Sequence, residues 1–306
     1  GIENSFESSL RGSNGYEHLF VDNLGRVLEV LDSKEAVAGN DVYLSIDKDL
    51  TKYCYDALER ELAGILLSHL SEGNYEGDEK NILIPINDVY FALFNNNTLT
   101  MTHIRSDQAT ENERSFLTVF EMEQNAIITR IENNLRTSVE PVKNLDEYEQ
   151  EYMEYIYDSL VKDGILDVTL IPDNDETYVA YKNHQSISLG DYLRYAINQN
   201  AIDISHFDLS SDYYDSEEIY SALVDTVVRN LREDGNFDKL VIKYMIESGQ
   251  TSGRQVCQML YDQGILSTED EDYEPFMSGS MSSYIFMYRK IDKLQITPAQ
   301  LALDPC

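Results

Sequence analysis

The sequence predicts an α+β protein, in which a small β-containing N-terminal fragment carries a larger, mainly α-helical domain. Two observations predict this fold class. The first fifty residues contain short apolar runs separated by glycine-bearing turns, which is typical of strands. From Lys48 onward, apolar residues recur every three or four positions, the period of an amphipathic helix. The chain has 306 residues, 42% of them hydrophobic, which is enough for a buried core and for two domains.

The N-terminal strands are predicted from three segments. Leu19–Val21 and Val27–Leu31 flank Asp22–Gly25, whose glycine suits the turn of a β-hairpin. Asp41–Asp47 alternates apolar and polar residues at a period of two, so a third strand is predicted there. The period then changes, and residues 48 to about 70 are predicted to form an amphipathic helix.

The rest of the chain is predicted to be mainly helical, with the main domain boundary in the polar, glycine-bearing stretch 71–79. Capping patterns predict where some helices begin: Asn144–Glu147, Ser188–Asp191, Asp215–Glu218 and Thr297–Gln300. The predicted helices are 86–95, 107–135, 145–163, 188–199, 216–233, 236–247, 252–263 and 280–293.

Two further features of this region are weaker signals. A small hairpin is predicted from Leu166–Ile171 and Tyr178–Tyr181, joined by the turn Pro172–Glu176. The segments 157–166 and 261–266 are similar in sequence, but what they share is a helix that ends on glycine and is followed by apolar residues. No internal repeat is inferred from that likeness.

Composition and charge exclude several classes of protein. Acidic residues outnumber basic residues 56 to 23, and the net charge of -33 repels nucleic acid and anionic lipid. A solvated surface accounts for this charge, with salt tolerance and cation binding as alternatives. The three dispersed cysteines indicate neither a disulfide framework nor a zinc site. No stretch has the roughly 18 to 20 apolar residues that span a bilayer.

Catalytic and metal-binding motifs are not predicted. Ser45–Lys48 and Ser159–Lys162 match the Ser-x-x-Lys acylation motif, but the Ser-x-Asn and Lys-Thr-Gly elements that must accompany it do not occur. Asp173–Glu176 is interpreted as a turn, and the acidic run Glu269–Asp272 as a solvated loop. We therefore predict no catalytic residue, no metal site and no cofactor, although a hydrolase that uses two carboxylates stays an alternative without specific support.

Three segments of the chain match the motifs of a known family. Gly1–Gly15 contains Gly-Ile-Glu, then Phe6, then Leu-Arg-Gly-Ser-Asn-Gly, which is similar to the Gly-(Leu/Ile)-Glu…(Tyr/Phe)…Leu-x-Gly-x-x-Gly motif of the pedestal, or dimerisation domain, of class B penicillin-binding proteins. Ala38–Leu50 resembles the strand and helix that link the pedestal to the catalytic domain, with Ser45 in place of threonine. Ala302–Cys306 resembles the strand that opens the transpeptidase domain. The three segments occur in the family's order.

The resemblance implies a set of signature positions that are structural and not catalytic. It implies an ion pair between Glu3 and Arg11, a turn at Gly12 and Gly15, and a helix cap at Asp47. The signature positions are Glu3, Arg11, Gly12, Gly15, Gly39, Asp47, Asp304 and Pro305.

The resemblance also implies a domain division and a function. Residues 1–70 would be a pedestal fragment with its linker helix, residues 71–295 a helical insertion, and residues 296–306 the first strand of a transpeptidase domain outside this sequence. The segment would be a non-catalytic scaffold that positions this domain, while the whole protein would resemble a peptidoglycan D,D-transpeptidase of cell division or sporulation.

The predicted partners follow from that function. They are the protein's own transpeptidase domain, division or sporulation proteins, and peptidoglycan, with no nucleic acid. The membrane would be contacted only through an N-terminal anchor outside this sequence, which places the segment on the extracytoplasmic face of the membrane of a Gram-positive bacterium. The alternative is a wall-sensing domain that binds peptidoglycan or divalent cations.

Overall fold

A computed structural model describes residues 2–72, 77–78, 81–207 and 214–302. The chain forms two compact units, residues 1–58 and residues 59–306, which we call the hairpin unit and the helical unit. Helices dominate and small sheets accompany them, so the predicted α+β class is confirmed.

The hairpin unit is built around two antiparallel strands. It begins with two short helices, α1 (Ile2–Ser5) and α2 (Glu7–Leu10). The hairpin strands are β1 (Tyr16–Val21) and β2 (Val27–Lys34), and α3 (Lys48–His69) starts in this unit. The predicted hairpin is therefore confirmed.

The hairpin turn is closed by one aspartate. Asp22 Oδ1 accepts hydrogen bonds from the amides of Leu24 at 2.8 Å and Arg26 at 2.9 Å. Gly25 has a φ of +77°, a left-handed conformation that glycine adopts at little cost. The third predicted strand, Asp41–Asp47, is wrong, because no described segment pairs with it. Alternation places side chains on two faces but does not supply the partner backbone that a strand needs.

The helical unit contains four two-residue strands and most of the helices. Strands β3 (Leu70–Ser71) and β6 (Ile84–Pro85) pair in parallel, and β4 (Gly77–Asp78) pairs antiparallel with β5 (Asn81–Ile82). The helices are α4 (Ile86–Asn95), α5 (Met101–Ile104), α6 (Glu111–Thr137), α7 (Glu147–Lys162), α8 (Glu176–Lys182), α9 (Leu189–Asn198), α10 (Ser216–Glu233), α11 (Gly235–Glu247), α12 (Gly253–Asp262), α13 (Tyr273–Met277), α14 (Ser283–Asp292) and α15 (Pro298–Leu301). Short 3-10 helices occur at Val142–Asn144, Val168–Leu170 and Ile204–His206.

The long helix α6 is the centre of the helical unit, and it contacts α5, α7, α9, α10, α11 and α12. Its inner stripe includes Phe116, Phe120, Ile127 and Ile131, all of which are buried. Fully burying one such side chain contributes about 1.5 to 3 kcal/mol. This stripe fixes the neighbouring helices around one core.

The predicted helices are present, with shifts at some of their ends. The helix predicted at 107–135 is α6, which begins at Glu111 because Thr110 and Glu113 form a capping box. The helix predicted from 145 is α7, and its cap is Asp146 rather than the predicted box at Asn144. The capping boxes predicted at Asp215 and Thr297 are confirmed.

The predicted hairpin between residues 166 and 181 is wrong. Val168–Leu170 is a 3-10 helix, and residues 176–182 form α8. Asp175 caps α8 by accepting hydrogen bonds from the amides of Thr177 and Tyr178 at 2.9 and 3.0 Å. Local capping therefore outweighs the β propensity of this short segment.

Eight joints within the described part of the helical unit share one backbone pattern. A residue with positive φ ends each helix, an inward-facing residue follows two positions later, and the next residue is a Ser, Thr or Asp whose side chain accepts a backbone hydrogen bond. The positive-φ residues are Asn97, Gly164, Gln185, Asn200, Gly249, Gly264, Gly279 and Leu294. The capping residues are Thr100, Asp167, Ser188, Asp203, Ser252, Ser267, Ser282 and Thr297. The likeness between 157–166 and 261–266 arises because two of these joints, at Gly164 and Gly264, lie in those segments.

Candidate functional site

The signature glycines lie where two backbone segments touch in the hairpin unit. Residues 9–15 run beside residues 34–40. Ser13 and Val37 exchange two backbone hydrogen bonds, each 2.9 Å long, and the Asn40 amide donates to the Ser9 carbonyl at 2.7 Å. The contact is therefore made by main-chain atoms.

No other residue type fits at these glycines without movement of the backbone. A Cβ atom on Gly39 would lie 1.8 Å from the carbonyl oxygen of Leu10, far inside van der Waals contact. On Gly12, which has a φ of +65°, it would lie 2.2 Å from a carbonyl oxygen, and on Gly15 it would lie 2.6 Å from one. The three glycines allow this close approach, and the left-handed φ of Gly12 adds the turn that the sequence predicts.

Asp47 caps α3. Its Oδ1 accepts hydrogen bonds from the amides of Asp49 and Leu50, both at 2.9 Å, and satisfies two donors of the first helical turn. Glu3 and Arg11 form no ion pair among the described residues, so the pair that the resemblance implies is absent from this structure. Asp304 and Pro305 lie outside the described residues.

The hairpin unit exposes its apolar side chains. None of the residues 3–58 has a buried side chain. Val27 and Leu28 are neighbours on β2, so they face opposite sides of the hairpin, and both are exposed. On α3, Leu50, Tyr53 and Leu58 are 60%, 72% and 62% exposed. We call these three residues the α3 stripe. Exposed apolar surface of this kind is typical of interaction sites.

Residues 1–44 match the family model of the penicillin-binding protein dimerisation domain. The N-terminal segment belongs to this family. The predicted resemblance to class B penicillin-binding proteins is thereby confirmed for this dimerisation-domain segment, which contains Glu3, Arg11, Gly12, Gly15 and Gly39.

Curated relatives match the dimerisation-domain segment and the residues near it. The chain is 32% identical over 74 residues to the peptidoglycan D,D-transpeptidase MrdA of Salmonella typhimurium, a match that covers 24% of this chain and 12% of that protein. MrdA of Escherichia coli is 37% identical over 68 residues, which are 22% of this chain and 11% of that protein. MrdA of Haemophilus influenzae is 40% identical over 58 residues, which are 19% of this chain and 9% of that protein.

The matches thus span 12% or less of the length of these relatives. They lend no support to the predicted Gram-positive source. No solved structure shows a significant match to the chain. Within the ranges that the structure describes, no helix is both long and apolar enough to cross a bilayer.

Two members of the acidic run Glu269–Asp272, interpreted from sequence as a solvated loop, contact a buried lysine, while Glu269 and Glu271 are exposed. Lys290 Nζ donates to Asp270 Oδ1 at 2.5 Å, to Asp272 Oδ2 at 2.9 Å and to Gln295 Oε1 at 3.0 Å, and its side chain is 0% exposed. Burial acts to raise the pKa of both aspartates, but the ammonium outweighs it and holds each pKa below its ordinary value.

Sequence reasoning missed this cluster, although a signal was present. Lys290 lies between Phe286, Met287 and Ile291 on the apolar face of α14, where a surface lysine is not expected. The two serines of the Ser-x-x-Lys matches lie on other elements. Ser45 precedes α3 in the hairpin unit, and Ser159 lies on α7. The described residues contain no group of three or more His, Cys, Asp or Glu side chains placed to hold a metal ion.

Proposed function

We propose that the hairpin unit is part of a pedestal on which the transpeptidase domain of a longer penicillin-binding protein rests. The observation that carries this proposal is the exposed apolar surface of a unit that matches the dimerisation-domain family. Two exposed hairpin faces and the α3 stripe are costly in water unless another surface covers them. The role is positioning, and the chemistry belongs to the domain that is positioned.

The helical unit has a separate role in this proposal. We assign residues 1–70 to the pedestal and linker helix, 71–295 to a helical insertion, and 296–306 to the start of the transpeptidase domain. The insertion would dock division or sporulation proteins in peptidoglycan synthesis, on the extracytoplasmic face of the membrane. The helical unit offers a core for such a module, since its buried apolar cluster runs from Ala63 to Leu301 and includes α6 and the helices that contact it.

Hydrogen exchange tests the pedestal role. We expect the amides of residues 48–58 to exchange more slowly in the whole protein than in the 306-residue chain, because the transpeptidase domain would cover the α3 stripe. Equal exchange in the two proteins would contradict the proposal.

A matched pair of variants locates the contact. Leu58→Asp should weaken association of the chain with a separately produced transpeptidase domain at least tenfold, because it places a charge in an apolar contact. Met122→Asp is the control, since Met122 is also exposed, at 63%, but lies on α6 in the helical unit. Equal weakening by both variants would argue against the α3 stripe.

Penicillin labelling tests the absence of catalysis. We expect a fluorescent penicillin to label the whole protein and not the 306-residue chain, because neither Ser45 nor Ser159 is accompanied by the other acylation elements. Covalent labelling of the chain would show that it is an enzyme. The alternative function, wall sensing through peptidoglycan or divalent cations, stays a prediction.

A further inference from the structure

The helical unit contains a cavity of about 630 Å³ between α4, α7 and α11. We call it the α4–α7–α11 cavity. Its volume lies within the range of about 300 to 1,000 Å³ that is typical of small-molecule sites. All of its lining residues belong to the helical unit, and Leu301 and Ala302 complete it.

The lining of the cavity is strongly acidic. Asp88 of α4, Glu147 and Glu151 of α7 and Glu247 of α11 line it, and Lys243 is the one basic residue in the lining. Lys243 Nζ donates to both carboxylate oxygens of Glu151, at 3.0 and 3.1 Å, so its charge is directed to that residue. The cavity therefore keeps an excess of negative charge.

The backbone does not add to this negative charge. Helices α4 and α11 end at Asn95 and Glu247, but α4 and α7 begin at Ile86 and Glu147, so helix ends of both signs lie at the lining. Lys239 Nζ also donates to the Asn95 carbonyl at 2.7 Å. The negative charge of the cavity therefore comes from its carboxylate side chains.

The lining also contains aromatic side chains. Phe91 and the ring of Tyr148 line it, and Tyr148 is held edge-on against Tyr244 with ring centroids 4.8 Å apart. Burial, together with a hydrogen bond to Glu247, raises the pKa of Tyr148 to about 12, so its hydroxyl stays a neutral donor to that carboxylate. Aromatic faces bind organic cations and their alkyl stems.

We propose that the α4–α7–α11 cavity binds a primary ammonium group carried on an apolar stem of several carbons. The ammonium would lie between Glu147 and Glu247, and the stem would lie against Phe91 and Tyr148. An inorganic cation fits less well, because these carboxylates are not among any metal-binding group of the described residues. The shared chemistry covers two sources, a free alkyl diamine and a lysine side chain.

Titration of the full chain, followed by NMR chemical shifts of the Phe91 and Tyr148 rings, tests the site. The probes are 1,5-diaminopentane, Nα-acetyl-lysinamide and, as an anion of similar length, hexanoate. We expect saturable shifts with one or both amines, which weaken as salt rises, and none with hexanoate. Binding of the diamine alone would identify a free amine as the source, and binding of both would identify a lysine-type group.

A matched pair of variants fixes the position of the ammonium. Glu147→Gln should weaken amine binding about fivefold, the size expected for one partly exposed charge contact. Glu149→Gln removes the same charge from the same helical turn but lies outside the lining, so it should leave affinity unchanged. Absence of shifts with both amines, equal shifts with hexanoate, or equal losses in the two variants would overturn the proposal.

Discussion

The contacts that stabilise the hairpin unit internally differ in kind from those that stabilise the helical unit internally. In the hairpin unit, residues 3–58 bury no side chain, and backbone atoms make the close contacts at Gly12, Gly15 and Gly39. In the helical unit, apolar side chains are buried around α6, and an ammonium is buried with two carboxylates. The helical unit carries its own stabilising core, whereas the hairpin unit leaves its apolar side chains exposed. Substitutions should therefore act on global stability in one unit and on local order in the other.

Loss of the buried ammonium should give the largest effect. Lys290→Met removes the one buried ammonium that both aspartates contact, and leaves Asp272 only the partly exposed cations of Arg289 and Lys293. We expect the free energy of unfolding of the helical unit to fall by about 3 to 5 kcal/mol. Urea denaturation followed by circular dichroism measures this change. Lys293→Met is the control, because Lys293 is partly exposed and its loss should cost about 0 to 1 kcal/mol. Equal losses would show that burial of Lys290 is not decisive.

The same cluster predicts a dependence on pH. Because the pKa values of Asp270 and Asp272 are lowered in the folded state, their contribution is present above the unfolded aspartate pKa of about 3.9 and is lost as pH falls through the folded values. The stability difference between the wild type and Lys290→Met should therefore shrink between pH 6 and pH 3. The comparison of the two proteins cancels the pH-dependent contributions of other groups. One of these groups is Asp238, whose pKa is raised by burial. A difference that stays constant with pH would contradict this assignment.

Gly39→Ala should disrupt the backbone contact of the hairpin unit. The added Cβ would lie 1.8 Å from the Leu10 carbonyl oxygen, and we expect a local cost of about 1 to 3 kcal/mol. Faster hydrogen exchange at the Ser13 and Val37 amides, with unchanged urea unfolding of the helical unit, is the expected result. Gly64→Ala on α3 is the control, since open space surrounds it and helix propensity should raise stability by about 0.5 to 1 kcal/mol.

Loss of the α3 cap should give the smallest effect. Asp47→Ala removes the acceptor for two amides, and we expect the first turn of α3 to lose about 0.5 to 2 kcal/mol. Amide exchange at Asp49 and Leu50 measures this loss. Asp47→Asn should keep most of the cap, because an asparagine oxygen accepts the same hydrogen bonds. If asparagine were as disruptive as alanine, charge and not hydrogen bonding would explain the role of Asp47.

The helices could be predicted from sequence because their signals are local. Apolar spacing and capping residues placed most of them, and the boxes at Asp215 and Thr297 are present as predicted. The absence of a strand at 41–47 could not be predicted in this way, since strand pairing depends on residues far along the chain. Short α8 was missed because Thr177, Tyr178 and Val179 favour strands in isolation, while the Asp175 cap favours a helix.

Some of the sites described above could likewise be predicted from sequence, and others could not. The signature glycines and Asp47 could be named from the family motif, and the structure adds the carbonyl contacts that explain the glycines. Lys290 and the α4–α7–α11 cavity could not be named, because residues far apart in sequence form them. Asp270 meets Lys290 across 20 positions, and Glu151 meets Lys243 across 92. Such contacts follow from tertiary packing and leave little trace in local patterns.

The repeated joint has a consequence for how the helical unit folds. Each joint caps two consecutive elements with residues that lie within a few positions of one another, so much of the local geometry is set before distant segments meet. Chains rich in such short-range contacts reach the native state on the microsecond-to-millisecond scale, whereas long-range pairing is slower. The helical unit is thus suited to fold early during synthesis, before a surface that covers the hairpin unit is available.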